Sequence, residues 1–118
     1  MKKSSKATYS VYVVELSKDV FNEDRRFRNA NIQYMGMLEC LYVGMTSLSP
    51  EERFKKHKTG ARSMKGFKIS SKYVEKFGLY LRPGLYRDLN PLTKAEAVKM
   101  EEELALDLRR KGYAVWWN

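Results

Sequence analysis

Three apolar segments, each bounded by turn or helix-cap residues, predict the strands of a sheet. Residues 9–16 are β-branched or aromatic and apolar on both faces, which predicts a central strand. Residues 38–43 have the same character, and Gly44 ends their apolar run at a point where backbone can approach a ligand closely. Residues 113–117 predict a final strand.

Helix-start signals separate the second and third of these strands. Ser49 and Glu52 form a capping box around Pro50, and Gly60 follows as a stop, which predicts a helix over residues 50–59. A second capping box and a later glycine predict a long helix over residues 94–111. Between them, residues 70–77 predict a short helix that ends at Gly78, and residues 78–87 predict two short extended segments around a Pro-Gly turn.

The order of these elements predicts one small domain of the α/β (α+β) class. A central sheet of about three strands is flanked by helices over residues 9–118, after a basic arm at residues 1–8. The polar connection over residues 17–37 is long for a hairpin and contains a predicted helical turn at residues 22–29. Its arginines are either contacts to a phosphate backbone or a solvated face.

The charge distribution points to a polyanionic partner. The net charge is +9, and residues 51–87 alone contain eleven basic and three acidic residues, so a nucleic acid is the expected partner. No apolar run is long enough to span a bilayer, so we expect no membrane partner. Cys40 is the only cysteine, which excludes an internal disulfide and favours a cytoplasmic location.

One carboxylate falls on the apolar side of the long helix. Ala97, Leu104 and Leu108 recur at helical spacing, and Glu101 lies within their stripe. A carboxylate that faces a core needs a partner, either a basic side chain or a bound metal ion. For a single carboxylate with water and phosphate ligands, magnesium is the expected metal. A zinc site is not expected, because the chain has one cysteine and one histidine.

The helix at residues 50–59 presents groups that suit phosphate chemistry. Arg53 and His57 lie four residues apart and therefore share a face. A guanidinium binds phosphate oxygens in a planar fork, whereas the neighbouring lysines suit contacts to a phosphate backbone. These lysines are Lys55, Lys56 and Lys58.

Together these residues resemble the GIY-YIG nuclease superfamily over nearly the whole chain. YVG at residues 42–44 is similar to the second signature tripeptide, and SVY at residues 10–12 to the first, with serine in place of glycine. Arg53 stands where the family keeps its phosphate-binding arginine, and Glu101 where it keeps its metal ligand. The family joins its first two strands by a shorter connection than residues 17–37.

The resemblance implies a metal-dependent endonuclease that hydrolyses phosphodiester bonds, with DNA favoured over RNA as the substrate and the choice between them left open by the sequence. It assigns Glu101 to Mg²⁺, or Mn²⁺, and gives His57 a role in the site. Tyr12 and Tyr42 suit activation or orientation of the attacking water. Which of them is the general base stays open; the family favours Tyr12 as the base and Tyr42 as a positioning residue. Asn118 is a further candidate. Residues expected to contact nucleic acid are Gly44, Lys55, Lys56, Lys58 and Arg62.

Two alternatives remain beside an active nuclease. The first is a nucleic-acid-binding module of the same fold without catalysis. The second is a nuclease subunit directed to its substrate by a protein partner, and a homodimer is a related arrangement.

Overall fold

The computed structural model describes residues 6–59 and 71–117. These residues form a four-stranded sheet flanked by helices, which confirms the α/β (α+β) class. The strands are β1 (Ser10–Leu16), β2 (Cys40–Thr46), β3 (Gly78–Leu81) and β4 (Ala114–Trp117). The helices are α1 (Asp19–Glu23), α2 (Arg25–Ala30), α3 (Pro50–Thr59), α4 (Lys72–Phe77) and α5 (Lys94–Arg110). The predictions made for residues 1–5, Gly60, Arg62 and Asn118 lie outside the described residues.

The sheet has the order β3-β1-β2-β4, and β1 is an interior strand as predicted. Strand β1 pairs antiparallel with both β2 and β3, whereas β4 pairs parallel with β2. The predicted count of about three strands is one too low, because the first half of residues 78–87 joins the sheet as β3. The second half is not extended: after the Arg82 N–H bonds to Val13 O, the chain turns at Pro83, whose fixed φ suits the short 3₁₀ turn there.

The two capping boxes predicted the starts of α3 and α5 correctly, whereas α4 begins at Lys72, two residues after its predicted start. Helix α3 has the predicted bounds, and the Glu52 backbone N–H donates to Ser49 Oγ over 3.1 Å. Helix α5 begins with the full capping box of Thr93 and Glu96. In the long connection, the single predicted turn is instead two helices, because Asp24 ends α1 and its side chain caps α2.

The expectation that Gly44 ends the second strand is wrong. Strand β2 continues to Thr46, since Gly44 stays paired with Tyr12 of β1. A strand tolerates glycine here because a neighbouring side chain takes up the space above it.

Helices pack on both faces of the sheet. Consecutive strand residues point to opposite faces, and Trp116 packs on Tyr73 of α4 whereas Arg109 of α5 lies over the ring of Trp117. Register places Tyr42 beside Trp116, on the face that α4 covers. This face, which also carries α3, is called the tyrosine face below. Helix α5 covers the opposite face.

Apolar side chains from both faces form the core, which includes the buried free thiol of Cys40. Within the described ranges, no helix combines the length and apolarity that crossing a bilayer requires.

Candidate active site

Tyr12 and Gly44 are directly opposite each other in the β1–β2 ladder, and the Tyr12 ring lies over the glycine. A Cβ atom added to Gly44 would come within 2.5 Å of the Tyr12 hydroxyl oxygen. The close approach expected at this glycine is therefore made by a tyrosine side chain. Because Gly44 has no side chain, there is room above it for the Tyr12 hydroxyl.

Three buried rings meet on the tyrosine face. The ring centroid of Tyr12 lies 6.2 Å from that of Tyr42 and 6.1 Å from that of His57. The Tyr42 and His57 rings meet edge to face at 5.7 Å. Tyr12 and Tyr42 come from adjacent strands and His57 from α3, so the strand register and the helix start together define this ring cluster.

Hydrogen bonds at both nitrogens fix the tautomer of His57. The Ser71 backbone N–H donates to Nδ1 over 2.7 Å, which requires a lone pair on that nitrogen. Burial, helped by the charge of Arg53, lowers the pKa of His57 to about 4, so the ring is neutral at neutral pH. The one ring proton is then on Nε2, which donates to the Tyr12 hydroxyl oxygen over 2.7 Å.

Opposing effects act on the Tyr12 hydroxyl. Burial raises the pKa of Tyr12 well above its ordinary value, and Tyr42 adds to that rise. Arg53 acts in the other direction, through its charge and a hydrogen bond to Tyr12. Because burial is the largest effect, Tyr12 is protonated in the free protein, while Arg53 and His57 both supply donors that favour its anionic form.

The Glu101 side chain is buried within the predicted apolar stripe. The residue is 8% exposed, beside Ala97 and Leu104, whereas Glu102 and Glu103 are exposed. Among the described residues the Glu101 carboxylate has neither a hydrogen-bond partner nor an ion pair, so the salt-bridge alternative finds no basic side chain there. Burial raises the pKa of this carboxyl to about 7.

Glu101 and the ring cluster lie on different faces of the sheet, because α5 covers the face opposite the tyrosine face. The last described β2–β4 pair joins Val43 to Trp117.

The donor set at Glu101 fits a hard divalent cation. No group of three or more His, Cys, Asp or Glu side chains is found in the described ranges, which gives a soft or tetrahedral metal no site there. A lone desolvated carboxylate suits Mg²⁺ or Mn²⁺, which keep water and phosphate oxygens as their other ligands. Binding a cation would also offset the cost of burying this carboxylate, which has no partner among the residues that the structure describes.

The lysines of α3 differ in what they contact. Lys55 and Lys56 are exposed. The Lys58 ammonium instead donates to the carbonyl oxygens of Gly78 and Glu75, over 2.9 and 3.3 Å, and ties α3 to α4 and β3. Arg62 and Asn118 lie outside the described part of the chain.

Sequence reasoning missed two groups beside the ring cluster. The Ser71 N–H is a backbone donor that carries no side-chain signal, so only the fold reveals it. Trp116 lies opposite Tyr42, and a predicted parallel pairing of the last strand with β2 would have placed it there.

No protein-family model, curated protein or solved structure matches this chain.

Proposed function

We propose that this protein is a metal-dependent endonuclease of the GIY-YIG type that hydrolyses phosphodiester bonds in DNA. The observation that carries the proposal is the Tyr12 hydroxyl, which is buried, receives the Nε2–H of a neutral histidine and lies in contact with Arg53. A phenolic hydroxyl can both donate and accept hydrogen bonds. Here His57 and Arg53 both direct donors at the Tyr12 oxygen, and such donors favour its anionic form.

In this proposal Tyr12 is the general base. A water molecule attacks phosphorus, the bond from phosphorus to the leaving sugar oxygen breaks, and the proton of the water passes to the Tyr12 phenolate oxygen. His57 cannot take that proton at Nε2, because Nε2 already carries one. It stabilises the phenolate instead, and Tyr42 holds the hydroxyl in place from the adjacent strand.

Arg53 has two tasks in the same step. Its charge lowers the cost of deprotonating Tyr12, and its planar donors suit the phosphoryl oxygens that gain charge in the transition state. Glu101 would hold the metal ion, which when bound neutralises phosphate charge and stabilises the leaving oxygen.

The positive charge of the segment over residues 51–87 supports a nucleic-acid substrate. Lys55 and Lys56 are exposed on the same helix as Arg53, where they can neutralise backbone phosphates on either side of the scissile one.

Nicking of supercoiled plasmid DNA tests the proposal. We expect nicking in Mg²⁺ or Mn²⁺, none in EDTA, and a loss of at least 10²-fold in the Tyr12→Phe variant, as for other general bases. Tyr80→Phe is the matched control, because Tyr80 is half-exposed on β3 and away from the ring cluster. DNA binding without nicking would support the inactive binding module, and nicking that requires an added cell fraction would support a partner-directed subunit.

A further inference from the structure

An aromatic platform lies immediately beside the ring cluster on the tyrosine face. Trp116 is the direct neighbour of Tyr42 in the β2–β4 ladder, and neighbouring strands are about 4.8 Å apart. Its indole is only partly buried. A partly exposed aromatic face therefore lies one strand away from the proposed reacting phosphate.

The packing behind Trp116 holds the indole in place. The Tyr73 ring packs against it at 5.0 Å between centroids, and Phe27 supports Tyr73 edge to face at 5.7 Å. The Tyr73 hydroxyl donates to Asp24 Oδ1 over 3.0 Å, which anchors this second ring. Because the supporting rings are buried and anchored, the indole has little freedom to lose when a ligand stacks on it.

An exposed cation lies over the indole. Arg26 is exposed on α2, and its guanidinium carbon is 6.0 Å from the centroid of a Trp116 ring. Stacked planar groups are about 3.4 Å apart, so a base between two such groups needs about 7 Å. A small movement of the Arg26 side chain would open that gap, with an aromatic plane below the base and a guanidinium plane above it.

We propose that Trp116 and Arg26 form a stacking site for a nucleobase displaced from the DNA duplex next to the cleaved phosphate. Paired bases inside a duplex cannot enter such a site, whereas a bulged or flipped base can. This inference rests on the proposed function and specifies its substrate as DNA with an unpaired nucleotide. The site recognises the π-face of a base and therefore does not select sequence.

Binding measurements with two bulged duplexes isolate the stacking. Both carry one extra nucleotide in an otherwise identical duplex, an adenosine in one and an abasic sugar in the other, and affinities are measured in EDTA so that no cleavage occurs. We expect the native protein to bind the adenosine bulge about tenfold more tightly than the abasic bulge, since loss of one stacking aromatic weakens binding about 5- to 150-fold. Trp116→Leu should bring the ratio of affinities close to one.

The chain provides matched controls. Trp117→Leu removes the adjacent indole, which faces the opposite side and also carries an arginine over its ring, and it should leave the ratio unchanged. Arg26→Gln should reduce the ratio, whereas Arg25→Gln, an exposed neighbour on the same helix, should not.

A second measurement does not depend on how well Trp116→Leu folds. In Trp117→Phe the only tryptophan is Trp116, because the chain has two, and its fluorescence should be quenched by the adenosine bulge and not by the abasic one.

The outcomes separate this inference from the proposed function. An affinity ratio of one in the native protein, or a ratio that survives Trp116→Leu, overturns the stacking site even if plasmid nicking succeeds. Equal effects of both bulges on the fluorescence of Trp117→Phe overturn it as well. A Trp116-dependent ratio in a protein that never nicks DNA supports the stacking site and overturns only the nuclease. Failure to bind any DNA overturns both.

Discussion

The Tyr12 hydroxyl oxygen lies 2.7 Å from Nε2 of His57, and the other nitrogen of the same imidazole accepts the Ser71 N–H. This relationship makes the histidine a fixed donor to the tyrosine. A histidine beside a tyrosine could either deprotonate the phenol or stabilise the phenolate. Because Nε2 of His57 already carries a proton, it can only do the second.

The tautomer of His57 can be observed directly. The chain contains one histidine, so a long-range ¹H–¹⁵N spectrum of the imidazole shows a single ring. We expect the neutral form with the proton on Nε2, and a titration midpoint near the pKa of about 4 that burial and Arg53 produce. A midpoint near the ordinary histidine value, or a proton on Nδ1, would contradict the hydrogen-bond assignment.

The cleavage rate should rise with pH. Burial raises the pKa of Tyr12 above its ordinary value, so the phenolate fraction grows about tenfold per pH unit below that pKa. We expect kcat/KM to increase continuously from neutral pH to about pH 9, without an inflection from His57. A rate that is constant over this interval would exclude Tyr12 as the base.

Glu101 should make the metal-free protein less stable at alkaline pH. Its pKa is raised from 4.5 to about 7 in the folded state, so the folded protein binds this proton more tightly than the unfolded chain. The resulting stability is fully present below about pH 4.5 and is lost as pH rises through about 7. The shift corresponds to about 3 kcal/mol.

Glu101→Gln should therefore abolish most of this pH dependence. In EDTA at pH 8 the variant should melt at a higher temperature than the native protein, and at pH 4 the two should melt alike. Mg²⁺ should raise the melting temperature of the native protein alone, and nicking by the variant should collapse. Glu102→Gln is the control, since Glu102 is exposed; the same effects in that variant would show that the helix register is misassigned.

Gly44→Ala tests how tightly the Tyr12 hydroxyl is placed. The new methyl carbon would lie 2.5 Å from the Tyr12 hydroxyl oxygen. The Tyr12 ring must therefore move, and the hydrogen bond between its hydroxyl and His57 must lengthen. Cleavage should fall on the order of 10²-fold, as for a misplaced catalytic group, with DNA affinity in EDTA little changed. Tyr12→Phe combined with Gly44→Ala should lose no more activity than Tyr12→Phe alone.

Arg53→Lys keeps the positive charge and removes the planar fork. We expect a loss of cleavage on the order of 10²-fold, as for removal of one preorganised donor, with DNA affinity nearly retained. Lys56→Arg serves as the control because Lys56 is exposed on the same helix. Native cleavage rates in Arg53→Lys would show that the residue acts through charge alone.

Local features of this fold were predictable where one short segment contains the whole signal. The capping box of Ser49 and Glu52 defined α3, and helical spacing placed Glu101 on the buried side of α5. The first of the two extended segments predicted in residues 78–87 is β3, but its membership of the sheet depends on pairing with β1, which four residues beside a Pro-Gly pair do not reveal.

The arrangement of the site depended on contacts between distant segments. Sequence spacing showed that Arg53 and His57 share a face and made a tyrosine hydroxyl or a phosphate the expected partner of His57, but not that this tyrosine is Tyr12 or that the ring receives the Ser71 N–H. The placement of Glu101 across the sheet from the ring cluster likewise follows from which face α5 covers, and no local pattern in the helix encodes that choice.

The parallel pairing of β2 with β4 has a consequence for biosynthesis. Cys40 of β2 pairs with Ala114, so during translation β2 can pair with β1 long before β4 has left the ribosome. Throughout that interval the outer edge of an apolar strand exposes unpaired backbone groups to neighbouring nascent chains, a known route to aggregation. A chaperone that covers this edge should raise the yield of folded protein more than added salt or ligand would, and slower translation should lower it because the edge then stays exposed for longer.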